Sequence, residues 1–233
     1  MMDMKSTTSA ITTAESNEQQ RNWNKNMWVN KTNDPLKNYD PTRSHLNFEV
    51  ARGGKIQPID TSMSIGEKMN QILQARGIKN PNTENCKQPQ RTLAKFIFGG
   101  NRDRMRELAY GVQKVDYNKG ADNSHITREE AIEKWAVGVY KFACKRYGEE
   151  NIVSFYVHLD ENNPHIHCTL LPVDKTKNRI SWTSVFGKTK KEESETMRDA
   201  HTAFFKEVGS KWGLDRGSDV KVTGAKHRCN KQI

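Results

Sequence analysis

The chain has 233 residues, enough for one large domain or two small ones, and it contains no internal repeat. Its 38 Lys and Arg residues outnumber its 28 Asp and Glu residues, which gives a formal net charge of +10. This excess predicts a polyanionic partner, nucleic acid first, unless it only forms a solvated face. No window is apolar enough to cross a membrane and the N-terminus lacks the apolar core of a secretory signal, so we expect a cytoplasmic protein.

The two ends of the chain differ from its middle in composition. Residues 1–40 are rich in Ser, Thr, Asn and Gln, which predicts a polar N-terminal arm that packs only in part. Residues 218–233 predict a basic C-terminal tail, so we expect the compact domain over 41–217. At the start of that domain, RSHLNFEVA (43–51) predicts a strand and the following glycine pair predicts a turn.

Helices and strands are mixed along the domain. Ser64 and Glu67 form a capping-box pattern at the start of an amphipathic helix predicted over 64–77, and a buried strand is predicted over 92–100. A second capping-box pattern, Thr127 with Glu130, predicts a helix that ends at the glycine at position 148. A last helix is predicted over about 192–212 from its apolar face.

A hairpin is predicted between the last two helices. The strands 151–158 and 165–172 are separated by only six residues, too few for a parallel crossover, so they must pair antiparallel. The sequence therefore predicts an α+β fold, with an antiparallel β-sheet covered by α-helices on one face.

Three histidines fall on this hairpin, in the stretch VHLDENNPHIHCTLLP. Because side chains alternate along a strand, His165 and His167 share one face while Ile166 and Cys168 point to the core. The hairpin brings His158 to the histidine face from the neighbouring strand. Three imidazoles with open coordination positions predict a catalytic metal site, and imidazole alone does not select the metal.

Two acids lie in the loop of the hairpin. Asp160 and Glu161 are near enough to orient a histidine, reach the ion through water or take up a proton. The alternative for the histidines is a pH-sensitive or merely polar patch.

The stretch HLDENNPHIH resembles the His-x-Asp-Glu-x-x-Pro-His-x-His signature of the plasmid mobilisation and recombination relaxases, the Pre/Mob or MobV family of HUH endonucleases. DPTRSHLNFE (40–49) is similar to the Asn-Pro-Ser-Arg-Ser-His-Leu-Asn-Tyr-Glu segment of that family. RYGEENIVSFYVH is similar to its Arg-Tyr-Gly-x-Glu-Asn-Ile run. The likeness covers about residues 15–217.

The resemblance implies an HUH-like fold and a metal-dependent DNA relaxase for plasmid or mobile-element mobilisation. Such an enzyme nicks one strand at an origin of transfer by transesterification and stays covalently attached to the 5′ phosphate. It implies Mn²⁺ or Mg²⁺ on His158, His165 and His167, with Glu161 as their acidic companion, and conjugation coupling machinery as a further partner. A rolling-circle replication initiator shares the histidine hairpin, but the DPTRSHLNFE segment favours mobilisation.

The resemblance leaves the attacking residue open. The family nucleophile is a histidine in a His-Asn-Glu-Arg segment, whereas SNEQQR here places Ser16 in that slot if Asn17 and Glu18 set the register. Tyr39 is a candidate substitute, and we expect His45 to support the site. Either a different residue attacks, or the register is shifted, or the chain is a non-cleaving metal- and DNA-binding origin or regulatory protein.

Four residues are expected to contact DNA. The resemblance indicates aromatic positions at Phe48 and Tyr147, which can stack on bases, with core packing as the alternative. Arg43 and Arg91 are expected to hold phosphates.

Overall fold

Six strands form one antiparallel sheet, and the computed structural model describes residues 2–8, 11–35, 37–82 and 86–217. The strands are β1 (Met2–Thr7), β2 (Phe48–Ala51), β3 (Lys55–Gln57), β4 (Leu93–Phe98), β5 (Ile152–His158) and β6 (His165–Leu170). Their order across the sheet is β1-β4-β6-β5-β2-β3. A separate ribbon is formed by β7 (Val173–Asp174) and β8 (Arg179–Ile180). The predicted α+β class with an antiparallel sheet is confirmed.

Helices lie on both faces of the sheet, but unequally. They are α1 (Thr13–Gln20), α2 (Lys25–Asn33), α3 (Ile65–Ala75), α4 (Arg102–Tyr110), α5 (Glu130–Tyr147), α6 (Trp182–Phe186) and α7 (Lys190–Glu207). One face packs on α5 and α7 through the main core, which includes Phe96, Trp135, Phe155, Ile166 and Phe204. A smaller core on the opposite face joins α3 to β5 and includes Leu73, Val153 and Tyr156. The prediction of helices on one face only is corrected. The apolar side of α3 must also be buried, and it packs against the opposite face of the sheet.

The polar N-terminal segment differs most from its prediction. Instead of a loose arm over 1–40, β1 pairs with β4 at the edge of the sheet, and α1 buries Ser16, Gln19 and Gln20. The Gln20 amide donates to the carbonyls of Asp60 and Met63, at 2.9 and 2.8 Å. Polar composition was a poor guide because buried polar groups are tolerated when they are hydrogen-bonded.

The strand predicted over 43–51 is shorter than expected. Residues Pro41–Leu46 form a 3₁₀ helix, and only Phe48–Ala51 is extended. The helical turn begins where the Asp40 side chain accepts a hydrogen bond from the Thr42 amide, next to a proline whose ring fixes φ. Local capping therefore overrides the alternating pattern at the start of this segment.

The two capping-box predictions have opposite outcomes. The Ser64 and Glu67 box is present at the start of α3, as predicted. The helix predicted from Thr127 begins instead at Glu130, after an N-cap residue, Glu129, that makes no side-chain cap bond. The Thr127 amide and hydroxyl both donate hydrogen bonds to the side-chain oxygen of a glutamine. The threonine is therefore not available to cap the helix.

The remaining elements follow the prediction closely. The strand expected over 92–100 is β4, and the helix expected over 192–212 is α7 followed by a 3₁₀ turn, Gly209–Trp212. Within the described residues, no helix is long and apolar enough to cross a membrane. The basic tail predicted over 218–233 lies outside the described part of the chain.

The hairpin of β5 and β6 has the predicted pairing and faces. His158 lies opposite His165, and Tyr156 lies opposite His167. Ile166 is 0% exposed, and it packs in the main core on the face away from the histidines. The alternation of side chains along β6 thus sends apolar groups to the core and imidazoles to the other face.

Candidate active site

An open cavity of about 970 Å³ lies against the part of the sheet that α1 and α3 leave uncovered. Its floor consists of residues from β1, β4, β5 and β6, including the three hairpin histidines. Its walls come from α1, from residues 35 and 37–39, and from the hairpin loop. The sheet order, which sets β1 and β4 beside β6, places charged residues of the N-terminal segment next to the histidines.

The three histidines converge on one point of this cavity. One ring nitrogen from each of His158, His165 and His167 lies within 4.8 Å of the others. The Nε2 atoms of His165 and His167 are only 2.9 Å apart. The predicted convergence of the three side chains is confirmed.

Hydrogen bonds to backbone carbonyls assign the proton on two of the rings. His158 Nε2 lies 2.7 Å from the carbonyl oxygen of Gln19, and His165 Nδ1 lies 2.9 Å from that of Asn163. Because a carbonyl oxygen only accepts, these nitrogens carry the protons. His158 Nδ1 and His165 Nε2 therefore keep their lone pairs for another partner, as in metal-ligating histidines.

The residues present fit a divalent cation. Nδ1 of His158 is buried and has no hydrogen-bond partner among the described residues. The lone pair on His165 Nε2 can accept a hydrogen bond from His167 Nε2 at 2.9 Å, so these two nitrogens already lie close enough to share one partner. A divalent ion such as Mn²⁺ binds imidazole nitrogen and would also give the buried Nδ1 of His158 a partner.

Burial keeps the imidazoles of His158 and His167 in the neutral form. Burial lowers the pKa of His158 well below its ordinary value, and the charges of Arg21 and His165 act in the same direction. The pKa of His167 is also well below its ordinary value, because of desolvation first and then the neighbouring His165 and His158. Neutral imidazole is the form that binds metal, so the site is prepared for an ion at neutral pH.

Glu161 lies at the mouth of the histidine cluster. Its Oε1 atom is 3.8 Å from His158 Nδ1 and 3.9 Å from His165 Nε2. The same oxygen accepts a hydrogen bond from Arg21 Nη2 at 2.6 Å. A small adjustment of this carboxylate brings it to an ion held by the histidines, directly or through water.

Asp160, the second acid of the loop, has a supporting position. Its side chain is fully buried and accepts two hydrogen bonds from Arg21, at 2.8 and 2.9 Å. Burial alone raises the pKa of Asp160, but the Arg21 guanidinium outweighs this and lowers it. The ionised carboxylate fixes the loop instead of facing the cavity.

Tyr39 lines the cavity, as a candidate nucleophile must. Its hydroxyl donates to Glu18 Oε1 at 2.7 Å, and its ring lies beneath the Arg21 guanidinium, 4.5 Å from the ring centroid. Burial and the hydrogen bond to Glu18 raise the pKa of Tyr39. Two lysines, Lys31 and Lys37, also bond Glu18, so this carboxylate stays ionised with a pKa of about 2 despite partial burial.

The other two catalytic candidates lie elsewhere. Ser16 is 0% exposed, its hydroxyl donates to Gln20 and accepts from the amide of Ile65, and it is not part of the cavity wall. His45 is exposed at the end of the 3₁₀ helix and is not part of the cavity wall either. These positions do not favour attack by Ser16 or a supporting role for His45.

Arg43 is a structural residue, and its predicted contact with DNA is corrected. It is 1% exposed, and its guanidinium donates to Asp40, to the Tyr110 hydroxyl and to the carbonyl of Leu159 at 2.7, 2.5 and 2.6 Å. It thereby joins the segment before β2 to the hairpin loop. Because it is buried and most of its donors are committed inside the protein, it is not available to a phosphate.

The other three predicted DNA contacts also pack inside the protein or pair with it. Phe48 is 0% exposed, and Tyr147 is 6% exposed and packs against Phe96. Arg91 pairs with Glu193 and stacks on the ring of Trp182. Core packing, the alternative for both aromatics, is therefore correct, and Arg91 is already neutralised by its partner.

Sequence reasoning missed Arg21 and Glu18 as site residues. Both lie at the end of α1, and Arg21 adopts a left-handed backbone conformation with φ of 54°. Such a conformation is uncommon for a residue with a side chain, and here ion pairs to the hairpin loop hold it. No local pattern indicates this, because the partners are about 140 positions away along the chain.

Comparison with solved structures gives the class of protein. The fold matches a Mn-bound crystal structure of the MobM relaxase domain with plasmid oriT DNA, with a TM-score of 0.68 and 18% identity. The match covers 100% of this chain and 95% of that one. A second crystal structure of the same domain gives a TM-score of 0.65 at 19% identity. The chain thus has the fold of a relaxase domain.

Comparison of sequences shows the family. A model described as "Plasmid recombination enzyme" (Mob_Pre) matches residues 101–232. The chain is 33% identical over 87 residues to plasmid recombination enzyme type 3 of Staphylococcus aureus, covering 37% of this chain and 20% of that protein. It is 28% identical over 161 residues to a plasmid recombination enzyme of Bacillus thuringiensis, covering 69% of this chain and 28% of that protein. The chain belongs to the Mob_Pre plasmid recombination enzyme family, and it aligns with less than a third of the length of these two relatives.

Proposed function

We propose that the chain is a metal-dependent DNA relaxase that nicks one strand at an origin of transfer during plasmid or mobile-element mobilisation. The observation that carries this proposal is the convergence of three imidazoles on the floor of an open cavity. The relatives support it, since they are plasmid recombination enzymes and a relaxase domain crystallised with oriT DNA and Mn. In this role the protein acts in the cytoplasm and passes DNA to the conjugation coupling machinery.

The histidines and Glu161 are the residues that would hold Mn²⁺ or Mg²⁺. His158 would contribute Nδ1, and His165 would contribute Nε2, because their other nitrogens bond carbonyl oxygens. When bound, the ion offsets the charge that develops on the scissile phosphate and orients it for in-line attack. Arg21 holds Glu161 at the edge of this site through the 2.6 Å hydrogen bond.

Tyr39 is the attacking residue in this proposal, and Glu18 positions it. The phenol donates a hydrogen bond to the ionised Glu18 carboxylate at 2.7 Å, and this bond fixes the place of the attacking oxygen. Lys37, at 3.4 Å from the hydroxyl, stabilises the phenolate that forms. Burial of the ring against Arg21 fixes its orientation.

The position of Glu18 also agrees with a different register for the family segment. In the first register, Asn17 and Glu18 match the asparagine and glutamate of His-Asn-Glu-Arg. If Arg21 matches the arginine of that segment instead, then Glu18 takes the place of the histidine. Glu18 lines the cavity, whereas Ser16 does not. The shifted register therefore places a cavity residue in the reactive slot.

The reaction conserves the energy of the phosphodiester bond, because one ester bond is exchanged for another. The Tyr39 oxygen forms a bond to phosphorus, the bond from phosphorus to the 3′ oxygen of the upstream strand breaks, and that oxygen leaves with a proton from water. The phenol proton passes to water. The downstream strand stays attached through its 5′ phosphate, so the step can be reversed to reseal the DNA.

A covalent adduct tests the proposal. The protein is incubated with Mn²⁺ and a 3′-labelled single-stranded oligonucleotide that carries the transfer origin of its own element, and the products are resolved on a denaturing gel. We expect a labelled protein band that disappears in His165→Ala and Tyr39→Phe, and mass spectrometry should place the nucleotide on Tyr39. Glu18→Gln should slow formation of the adduct, because the Tyr39 hydroxyl loses the charged acceptor that positions it.

The matched control is His125→Ala, which removes an exposed histidine outside the cavity and should cleave normally. Normal cleavage by His165→Ala would contradict the metal site. An adduct on another residue would remove Tyr39 from its role but leave the relaxase function in place.

A non-cleaving DNA-binding protein is the second candidate. The observation that favours it is the raised pKa of Tyr39, caused by burial and the Glu18 hydrogen bond, which makes the phenol a weaker acid. This candidate predicts tight binding of the same oligonucleotide with neither adduct nor cut product.

A further inference from the structure

Ile97 is an exposed apolar side chain in the cavity that contains the histidines. On β4 it lies directly opposite His167 of β6, and on its other side it lies opposite Asp3 of β1. Opposite residues in antiparallel strands project to the same face with Cβ atoms about 5 Å apart, so Ile97 stands beside the candidate metal ligand. It is 37% exposed, whereas Phe96 and Phe98, its neighbours on the other face, are 1% and 0% exposed.

Basic side chains also lie near Ile97, in addition to the acidic Asp3. Lys5 and Lys95 lie opposite each other in the next row of this face, and Arg102 at the start of α4 lines the same cavity. Lys95 is neutralised by Glu15 at 2.7 Å. Lys5 and Arg102 are exposed, so their charges are directed at the cavity and the solvent around it.

This combination matches the chemistry of a single DNA strand. Phosphates are held by Lys and Arg, while the flat apolar face of a base needs an apolar surface. One exposed isoleucine on a protein surface is ordinary. Ile97, in contrast, is next to His167 and shares the cavity with Lys5 and Arg102, on the route of a strand that crosses the histidines.

We propose that Ile97 is a platform for one base of the DNA strand, and that Lys5 and Arg102 hold phosphates beside that base. The inference rests on the proposed relaxase function and adds to it the path of the substrate strand. Because Ile97 contacts the base, its contribution to binding depends on the nucleotide next to the phosphate at the histidines. The contributions of Lys5 and Arg102 depend only on the charge of the backbone.

Two probes of equal charge separate these contacts. One is fluorescein-labelled oligothymidylate of about 12 nucleotides, within the usual site size, and the other is an abasic oligomer of the same length. Affinity for each is measured by fluorescence anisotropy in Mn²⁺ over a series of salt concentrations. Ile97→Ala should lower the affinity for oligothymidylate about tenfold, as expected for the lost apolar contact. The affinity for the abasic probe should not change.

The charged residues should behave differently. Lys5→Ala and Arg102→Ala should weaken the binding of both probes equally. Each substitution should reduce the salt dependence of binding by about one ion. Ile97→Thr keeps a β-branched residue in the strand and should repeat the Ile97→Ala result, which excludes a folding defect. Val112→Ala changes a fully exposed apolar residue outside the cavity and is the matched control.

The outcomes distinguish this proposal from the function on which it rests. If wild type binds and both Ile97 variants leave the preference for oligothymidylate over the abasic probe unchanged, the platform is overturned and the relaxase function stands. If wild type binds neither probe in Mn²⁺, the proposed function fails as well.

Discussion

The Arg21 guanidinium bonds both carboxylate oxygens of Asp160, at 2.8 and 2.9 Å, and so ties the end of α1 to the loop of the histidine hairpin. The side chains are only 6% and 0% exposed. Breaking such a pair is costly, because the remaining charge is left buried without compensation. The pair therefore makes the N-terminal segment part of the site that the hairpin histidines form.

Removal of Arg21 should destabilise the fold. We expect Arg21→Gln to lower the free energy of unfolding by about 3–5 kcal/mol, the usual cost of an orphaned buried charge, as measured by urea denaturation. The control is Arg52→Gln, which removes an exposed arginine 3.6 Å from Glu149 and should cost less than about 1 kcal/mol. If the two variants lowered the free energy of unfolding equally, the buried pair would stabilise the fold no more than the exposed pair does.

Mn²⁺ should stabilise the protein through the histidines. A ligand that binds only the folded chain adds about 2.7 kcal/mol at a concentration 100 times its Kd, so the Tm should rise with Mn²⁺ and fall again with EDTA. His167→Ala should abolish most of this shift, and His125→Ala, at an exposed position, should retain it. A full shift in His167→Ala would mean that the ion binds elsewhere.

Glu18 should make a pH-dependent contribution to stability. Burial alone raises its pKa, but hydrogen bonds from Lys37, Tyr39 and Lys31 outweigh this and lower it to about 2, from an ordinary 4.5. A carboxyl group with a lowered folded-state pKa stabilises above its unfolded pKa and loses that contribution as pH falls through its folded pKa. The stability difference between wild type and Glu18→Gln should therefore shrink between about pH 4.5 and pH 2 in urea titrations. Glu195→Gln, at an exposed position of α7, is the control and should show no comparable change.

Arg43 should contribute to the stability of the fold, whereas Arg102 should contribute to DNA binding. Arg43→Gln removes a buried hub of hydrogen bonds and should lower the free energy of unfolding by about 3 kcal/mol without changing the salt dependence of DNA binding by the folded protein. Arg102→Gln should leave stability unchanged and reduce that salt dependence by about one ion. Thermal denaturation and anisotropy titrations on both variants measure the two effects. A reduced salt dependence in Arg43→Gln would restore the original prediction of a phosphate contact.

Prediction from the sequence succeeded where a short pattern controls the structure. The alternation in HIHC puts His165 and His167 on one face and Ile166 in the core, because successive side chains of a strand point to opposite sides. A loop of six residues requires an antiparallel partner, and this brings His158 opposite His165. The metal-binding half of the site follows from these local constraints.

Prediction failed where roles depend on partners far along the chain. Arg43 and Phe48 have the residue types that bind DNA, yet the fold buries both, and only Tyr39 of the predicted nucleophile candidates faces the cavity. Polar composition concealed that β1 and α1 pack into the domain. The sequence by itself determined the histidine hairpin and the class of fold, since both arise from spacing within a few residues. Only the tertiary structure decided that Glu18 and Arg21 share the cavity with the histidines, because sheet order and ion pairs over long chain distances bring them there.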